Sequence, residues 1–123
     1  MLTGSCNCGG VTFTVAETQR SSACHCGQCR KQTGHHWASG LAADRDVTIS
    51  GEVTWHASSV FARRGVCPVC GWCLFWKKDA EPRISFSLGA IDGDTGLRLD
   101  RHIFTASKGD YYDIADNVPQ RET

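Results

Sequence analysis

The sequence lacks the features of a membrane or secreted protein. No stretch approaches the run of about 20 consecutive apolar residues that a membrane-spanning helix needs. The first residues, Met-Leu-Thr-Gly-Ser-Cys, show neither the basic start nor the apolar run of a secretory signal. The formal net charge is 0, and no block of lysine and arginine stands out. We therefore expect a cytoplasmic protein with neither a membrane nor a nucleic acid as its partner.

Internal repeats, linkers and long helical periods are also missing. The 123 residues fit one domain, so we expect a single domain over residues 1–123. Short stretches instead alternate apolar and polar side chains or are otherwise typical of strands. These stretches are residues 9–15, 37–43, 83–88, 97–99 and 102–104. The pattern predicts a mainly β fold of small antiparallel sheets with little helix.

Two further segments carry more specific expectations. Residues 47–49 and 53–55 flank Ser50-Gly51-Glu52, a small-residue turn that favours a β-hairpin. Residues 24–34 are short, polar and rich in cysteine, and we expect a loop with one helical turn there.

Cysteine is the unusual component of this sequence. The eight cysteines form three groups, with one residue following the last: Cys6 and Cys8; Cys24, Cys26 and Cys29; Cys67 and Cys70; and then Cys73. Cytoplasmic thiols are kept reduced, so metal binding explains them better than disulfides. A Cys-x-x-Cys turn lets two thiolates reach one zinc ion at about 2.3 Å.

The spacing suggests two zinc sites of different kinds. A structural zinc takes four protein ligands, whereas a catalytic zinc keeps three and leaves one position open. Pairing the first and last groups gives a closed site, and the middle group then holds a second ion. Two alternatives stay open on spacing alone: four disulfides, or one four-cysteine zinc with the other cysteines buried as thiols. Cys73 lies in an apolar stretch and is expected to be a packed thiol.

Ordered motifs along nearly the whole chain resemble the glutathione-dependent formaldehyde-activating enzyme (GFA) family, which also includes centromere protein V. The motifs are Gly4-Ser5-Cys6-Asn7-Cys8-Gly9-Gly10-Val11, Cys24-His25-Cys26-Gly27-Gln28-Cys29-Arg30-Lys31-Gln32-Thr33-Gly34, Ser58-Ser59, Arg63-Arg64-Gly65-Val66-Cys67-Pro68-Val69-Cys70-Gly71, Leu88-Gly89-Ala90-Ile91-Asp92, His102-Ile103-Phe104 and Tyr112-Asp113-Ile114-Ala115-Asp116-Asn117-Val118-Pro119. The resemblance implies the β-tent fold, in which small antiparallel sheets surround a structural zinc.

The resemblance also implies the ligands and the reaction. Cys6, Cys8, Cys67 and Cys70 match the structural zinc site of the family, and Cys24, Cys26 and Cys29 match its catalytic site. The activity of the family joins glutathione, as co-substrate, to formaldehyde and gives S-hydroxymethylglutathione, which is carbon–sulfur lyase chemistry. The true thiol and aldehyde of this chain, and its oligomeric state, do not follow from the sequence.

Histidines and basic residues near the cysteines are further candidates. His35 and His36 stand where the family has a small residue, and either could assist proton transfer or complete a metal site. Alternatively, one imidazole is packed and the other solvated. Because glutathione carries two carboxylates, Arg30, Lys31 and Arg64 are candidates for binding it.

A different class of function competes with the enzyme. Both zinc ions could be structural, and the β-tent would then be a module that recognises a protein partner. A fourth protein ligand at the second site, such as Cys73 or His36, would favour that module. An open fourth position would favour the enzyme.

Overall fold

Ten strands and one short α-helix form the framework of the computed structural model, which describes residues 1–123. The elements are β1 (Leu2–Ser5), β2 (Thr12–Val15), β3 (Arg20–Cys24), α1 (Gly27–Thr33), β4 (Trp37–Ala43), β5 (Val47–Ser50), β6 (Thr54–Ala57), β7 (Ala62–Val66), β8 (Cys73–Lys78), β9 (Arg83–Ser87) and β10 (Arg101–Ile103). The prediction of a mainly β fold with little helix is confirmed. No helix has the length and apolarity needed to cross a membrane.

The strands form two sheets. A three-stranded sheet has the order β1-β2-β5, and a seven-stranded sheet has the order β10-β3-β4-β9-β8-β7-β6. Every pair of strands is antiparallel except β10 and β3, which run parallel. Most of the pairing is therefore of the predicted kind.

The hydrophobic core joins these two sheets. Phe13 from the small sheet packs against Phe75 and Phe86 from the large one, with ring centroids 5.1 and 6.1 Å apart. Gly40 lies opposite Phe86 in the sheet, and a Cβ there would collide with the Phe86 ring. Cys6 and Cys67 belong to the same buried cluster. Two cysteines from distant parts of the chain are thus part of the core.

The expected hairpin over residues 47–55 is wrong. β5 pairs with β2 in the small sheet, whereas β6 pairs with β7 in the large sheet. Between them the chain crosses from one sheet to the other. Gly51 has a φ of 97°, and a Cβ on it would collide with the carbonyl oxygen of Gly10. The glycine therefore serves a close approach of two backbones rather than a hairpin turn.

Two other local expectations need correction. Residues 97–99 form no strand, because Ser21 and Asp100 use side-chain hydrogen bonds where a ladder would run. The Ser21 hydroxyl also donates to the carbonyl oxygen of Arg98. The single helical turn expected in residues 24–34 is longer, since α1 spans Gly27–Thr33 and ends at Gly34, whose φ is 76°.

Side chains along the strands of the large sheet alternate between the core and the opposite face of the sheet. In β9, Ile84 and Phe86 enter the core, so Arg83 and Ser85 project from the opposite side. The same alternation in β3 places Arg20, Ser22 and Cys24 along one wall of a cavity. The side of the sheet that does not pack on the core therefore carries the polar and sulfur-bearing residues.

Candidate metal centres and an adjoining cavity

The first cysteine cluster brings together two distant parts of the chain. The sulfurs of Cys6, Cys8, Cys67 and Cys70 all lie within 4.8 Å of one another. Cys8 Sγ is 3.6 Å from Cys6 Sγ and 3.6 Å from Cys67 Sγ. Four sulfurs held at about 2.3 Å from one tetrahedral zinc ion would lie about 3.8 Å apart. These distances suit a shared metal ion and are far too long for disulfide bonds, which measure about 2.05 Å.

Backbone turns present the sulfurs of this cluster. Gly9 and Gly71 each have a φ of 79°, a conformation in which glycine escapes the strain of a side chain. The N–H of Val11 donates to Cys6 Sγ at 3.3 Å. Burial would raise the pKa of Cys6, but this hydrogen bond and those from neighbouring cysteines lower it to about 6. The N–H of Val11 therefore favours the thiolate of Cys6, which is the form that binds metal.

The second cluster is local, and its sulfurs lie at the junction of β3 and α1. The sulfurs of Cys24, Cys26 and Cys29 lie within 4.8 Å of one another. Cys24 ends β3, and Cys26 caps α1 by accepting the N–H of Cys29 at 3.4 Å. Cys29 itself is buried in the first turn of the helix. This trio offers three thiolates, the number that a catalytic zinc takes from the protein in many sites.

Arg64 is a cation in direct contact with this trio. Its Nη2 donates to Cys29 Sγ at 3.6 Å and to Gln28 Oε1 at 3.2 Å. Its guanidinium carbon lies 5.9 Å from the centroid of the Trp37 ring. The Cys24 thiol donates to Cys29, and this bond together with the charge of Arg64 lowers the pKa of Cys29 to about 6, despite its burial. The same pairing raises the pKa of Cys24.

The three-cysteine cluster opens onto a cavity of about 460 Å³, which falls within the usual range of small-molecule sites. None of the four-cysteine cluster lines it. Five cationic side chains and one carboxylate do: Arg20, Arg64, Lys78, Arg83, Arg101 and Glu81. Of the basic residues expected from the sequence, Arg64 lines the cavity, whereas Arg30 and Lys31 do not.

His35 and His36 lie in a separate cluster of aromatic side chains. The ring of His36 is 5.0 Å from that of His25 and 4.2 Å from that of His35, centroid to centroid. Neither residue lines the cavity, and neither imidazole hydrogen-bonds a cysteine sulfur. Their assignment as catalytic residues stays a prediction.

The centre of that cluster is a chain of hydrogen bonds through two buried histidines. His25 Nδ1 is 2.6 Å from the Tyr112 hydroxyl, and His25 Nε2 is 2.9 Å from His102 Nδ1. His102 Nε2 in turn reaches Asp116 Oδ2 at 3.0 Å. One sequence feature indicates the position of His25. Because it stands between Cys24 and Cys26, alternation along the chain points its side chain away from their sulfurs. The partners of His25 lie 77 and 87 residues away, so no local pattern reveals them.

Comparison with known sequences identifies the family. The family model described as glutathione-dependent formaldehyde-activating enzyme matches residues 1–107. The chain belongs to the glutathione-dependent formaldehyde-activating enzyme family. Both cysteine clusters of this GFA family member lie within the matched segment. The expected link of this family to centromere protein V stays a prediction.

A solved structure shares the fold of this GFA family member. The crystal structure of a Rhodobacter sphaeroides protein superposes with a TM-score of 0.63 and 20% sequence identity. The alignment covers 76% of this chain and 91% of that one. No curated protein matches the chain. At this identity the likeness supports the fold and leaves the activity to be argued from the site.

Proposed function

We propose that the protein is a zinc-dependent enzyme of the carbon–sulfur lyase type that acts on adducts of a small thiol with an aldehyde. Glutathione and formaldehyde are the proposed pair, and S-hydroxymethylglutathione is the proposed product. One observation carries this proposal: the sulfurs of Cys24, Cys26 and Cys29 open onto a cavity of about 460 Å³. The four-cysteine cluster has no access to that cavity and suits a structural ion.

The proposed reaction is an addition. The S–H bond of the thiol breaks, its sulfur forms a bond to the carbonyl carbon, the C=O π bond opens, and the oxygen receives one proton in place of the one that the thiol lost. Zinc held by the three cysteines would supply Lewis acidity and favour the thiolate of the bound substrate.

The residues of this chain orient and shield the site. Gln28 accepts from Arg64 and donates to the carbonyl oxygen of Ser58 at 2.7 Å, so helix α1 is tied to the loop before β7. Arg64 Nη1 is buried and makes no hydrogen bond within the protein. This group is therefore free to donate to a polar atom of a bound substrate. Trp37 and Trp76 provide apolar wall area in the same cavity.

A non-catalytic module that recognises a protein partner is the competing proposal. It would need a fourth protein ligand to close the second metal site. No other histidine, cysteine or carboxylate joins the three sulfurs within the same distance. Cys73 belongs to neither cluster, and its thiol donates to the carbonyl oxygen of Phe75 at 3.8 Å. The open position favours the enzyme.

The test combines zinc counting with a screen of thiol–aldehyde pairs. We expect two zinc ions per chain and turnover of at least one pair above the spontaneous reaction, measured by exchange NMR. Cys26→Ala should lose one zinc ion and the turnover while the protein stays folded. Cys73→Ser removes a thiol outside both clusters. This variant should keep its zinc content and its turnover. Equal rates for Cys26→Ala and the wild type would overturn the proposal.

The cytoplasm is the proposed compartment. All eight cysteines are free of disulfide bonds in the structure. Free thiols in this number suit a reducing environment.

A further inference from the structure

The cations that line the cavity differ in what already binds them. Arg83 pairs with Glu81 at 2.8 Å, and Lys78 reaches the same carboxylate at 3.6 Å. Arg64 is engaged with Gln28 and Cys29. Arg20 and Arg101 form no ion pair. The cavity therefore contains two guanidinium groups that no carboxylate of the protein contacts as an ion pair.

The sheet fixes where these two groups lie relative to the sulfurs. On β3, Arg20, Ser22 and Cys24 alternate along the cavity wall. Arg101 lies opposite Ser22 on the parallel neighbour β10, and its Nε donates to Ser22 Oγ at 3.1 Å. At about 3.3 Å per residue, Arg20 is about 13 Å along the strand from Cys24, and Arg101 is about 7 Å from it.

The two arginines lie close enough to repel each other. Burial of Arg101, together with the charges of Arg20 and then Arg121, lowers the pKa of its guanidinium, and Asp100 opposes this only in part. A bound anion would relieve that repulsion. Guanidinium groups bind carboxylates through paired N–H bonds, which fix orientation as well as charge.

We propose that Arg20 and Arg101 form an anion subsite that binds a carboxylate of the substrate, between about 7 and 13 Å along the sheet from Cys24. The subsite makes the enzyme select small thiols with an acidic tail over neutral thiols. This inference rests on the proposed function for the identity of the ligand as a thiol or its adduct. It assigns the recognition of the tail to two residues that take no part in the chemistry at sulfur.

Binding of S-methylglutathione tests the subsite without any turnover, because its sulfur is blocked. Titration calorimetry would compare this ligand with its diethyl ester, in which both carboxylates are neutral. The protein variants are Arg20→Gln/Arg101→Gln and, as a control of equal charge change, Arg45→Gln/Arg98→Gln. Arg45 and Arg98 are exposed and do not line the cavity.

We expect the wild type to bind the free acid at least about 10-fold more tightly than the ester, because each charged hydrogen bond contributes substantially to affinity. Arg20→Gln/Arg101→Gln should lose that preference and the control should keep it. A preference that survives in Arg20→Gln/Arg101→Gln, or that falls equally in the control, overturns the subsite. A melting curve for each variant confirms that the fold is retained.

The same proteins separate this inference from the proposed function. If the arginines govern binding of S-methylglutathione but no thiol–aldehyde pair turns over, the subsite stands and the enzyme proposal fails. If glutathione turns over with equal kcat/KM in the wild type and in Arg20→Gln/Arg101→Gln, the enzyme proposal stands and the subsite fails.

Discussion

The four-cysteine and three-cysteine clusters use the same side chain in two different settings. Cys6 and Cys67 are 4% and 1% exposed and belong to the hydrophobic core, and their cluster joins segments about 60 residues apart in the chain. Cys24, Cys26 and Cys29 come from six consecutive residues and border a cavity. A metal ion in the first cluster would hold the fold together, whereas one in the second would be accessible to a ligand. Position in the fold, rather than ligand type, separates the two roles.

The hydrogen bonds to sulfur differ in one respect. Backbone N–H groups donate to sulfur in both clusters, to Cys6 and Cys67 in the closed one and to Cys26 in the open one. Only the open cluster adds a donor from a long side chain, that of Arg64 to Cys29. A backbone donor persists through most substitutions, whereas a side-chain donor is removed by one. The open cluster is therefore the one whose properties a single substitution can adjust.

The largest effect is expected when a cysteine of the closed cluster is replaced, because the protein should then lose its fold. Cys67→Ser should give mostly unfolded or insoluble protein, because structural zinc supplies on the order of 10–16 kcal/mol of apparent binding energy. Whole domains are stable by only about 5–15 kcal/mol. Thermal melting and zinc content measure the effect. A native-like transition with both zinc ions would contradict the assignment of Cys67.

Stepwise removal of metal should separate the two clusters in one sample. The open cluster closes only a short loop, so a chelator should take its zinc first. Turnover should then disappear while the melting transition remains. Further chelator should abolish the transition as well. Cys26→Ala, which keeps only the closed cluster, should show the second step alone. Simultaneous loss of turnover and fold in the wild type would show that the two clusters are not independent.

Arg64→Gln should weaken zinc binding at the open cluster and leave zinc binding at the closed cluster unchanged. Removing a hydrogen bond to a metal ligand commonly costs about 10–100-fold in metal affinity or activity. We expect a loss of that size in zinc retention, measured by competition with a chromogenic chelator. Arg63→Gln is the matched control. Arg63 precedes Arg64 in the sequence, but its side chain points to the surface and pairs with Asp79 at 3.0 Å. A similar loss in both variants would mean that general charge, and not the bond to Cys29, is responsible.

The smallest effect concerns His36, away from both clusters. Burial, then the charges of His35 and His102, lower the pKa of His36 in the folded protein. The unfolded chain takes up the proton near the ordinary value of about 6.5, so it binds more protons below that pH. The free energy of unfolding should therefore fall as the solution becomes more acidic than about pH 6.5, and it should fall less in His36→Gln.

Denaturant unfolding at neutral and acidic pH measures this difference. His56→Gln, an exposed histidine on β6, is the control and should follow the wild type. His36→Gln should also keep its zinc and most of its turnover, because His36 does not line the cavity. A large loss of turnover with unchanged zinc would restore the catalytic role expected from the sequence.

The sequence predicted best where the constraint is local. β4 spans residues 37–43, as its pattern indicated, and β9 differs from its predicted range by one residue. The Cys-x-x-Cys and Cys-x-Cys spacings predicted groups of sulfurs because short turns alone bring them together. The hairpin around Gly51 failed because the chain changes sheets there, and a contact with the distant Gly10 decides the geometry.

The cavity could not be predicted for a related reason. Its cations come from separate strands, and their neighbours depend on strand order rather than on sequence spacing. Arg30 and Lys31 adjoin a ligand cysteine in sequence but lie on a helix that turns them away from the cavity. Arg20 and Arg101 are 81 positions apart, and the parallel pairing of β3 with β10 places them together.

The hydrogen-bonded chain through His25 has a consequence for where this domain can be cut. Its outer members, Tyr112 and Asp116, lie beyond residue 107, where the family match ends. Tyr112 bonds directly to His25, between Cys24 and Cys26, whereas Asp116 is linked to His25 through His102. A chain shortened to residue 107 would strip two hydrogen-bond partners from buried imidazoles while removing no ligand and no cavity residue. The segment after residue 107 thus completes the hydrogen bonds of two buried imidazoles behind the cysteine loop, although the family match does not include it.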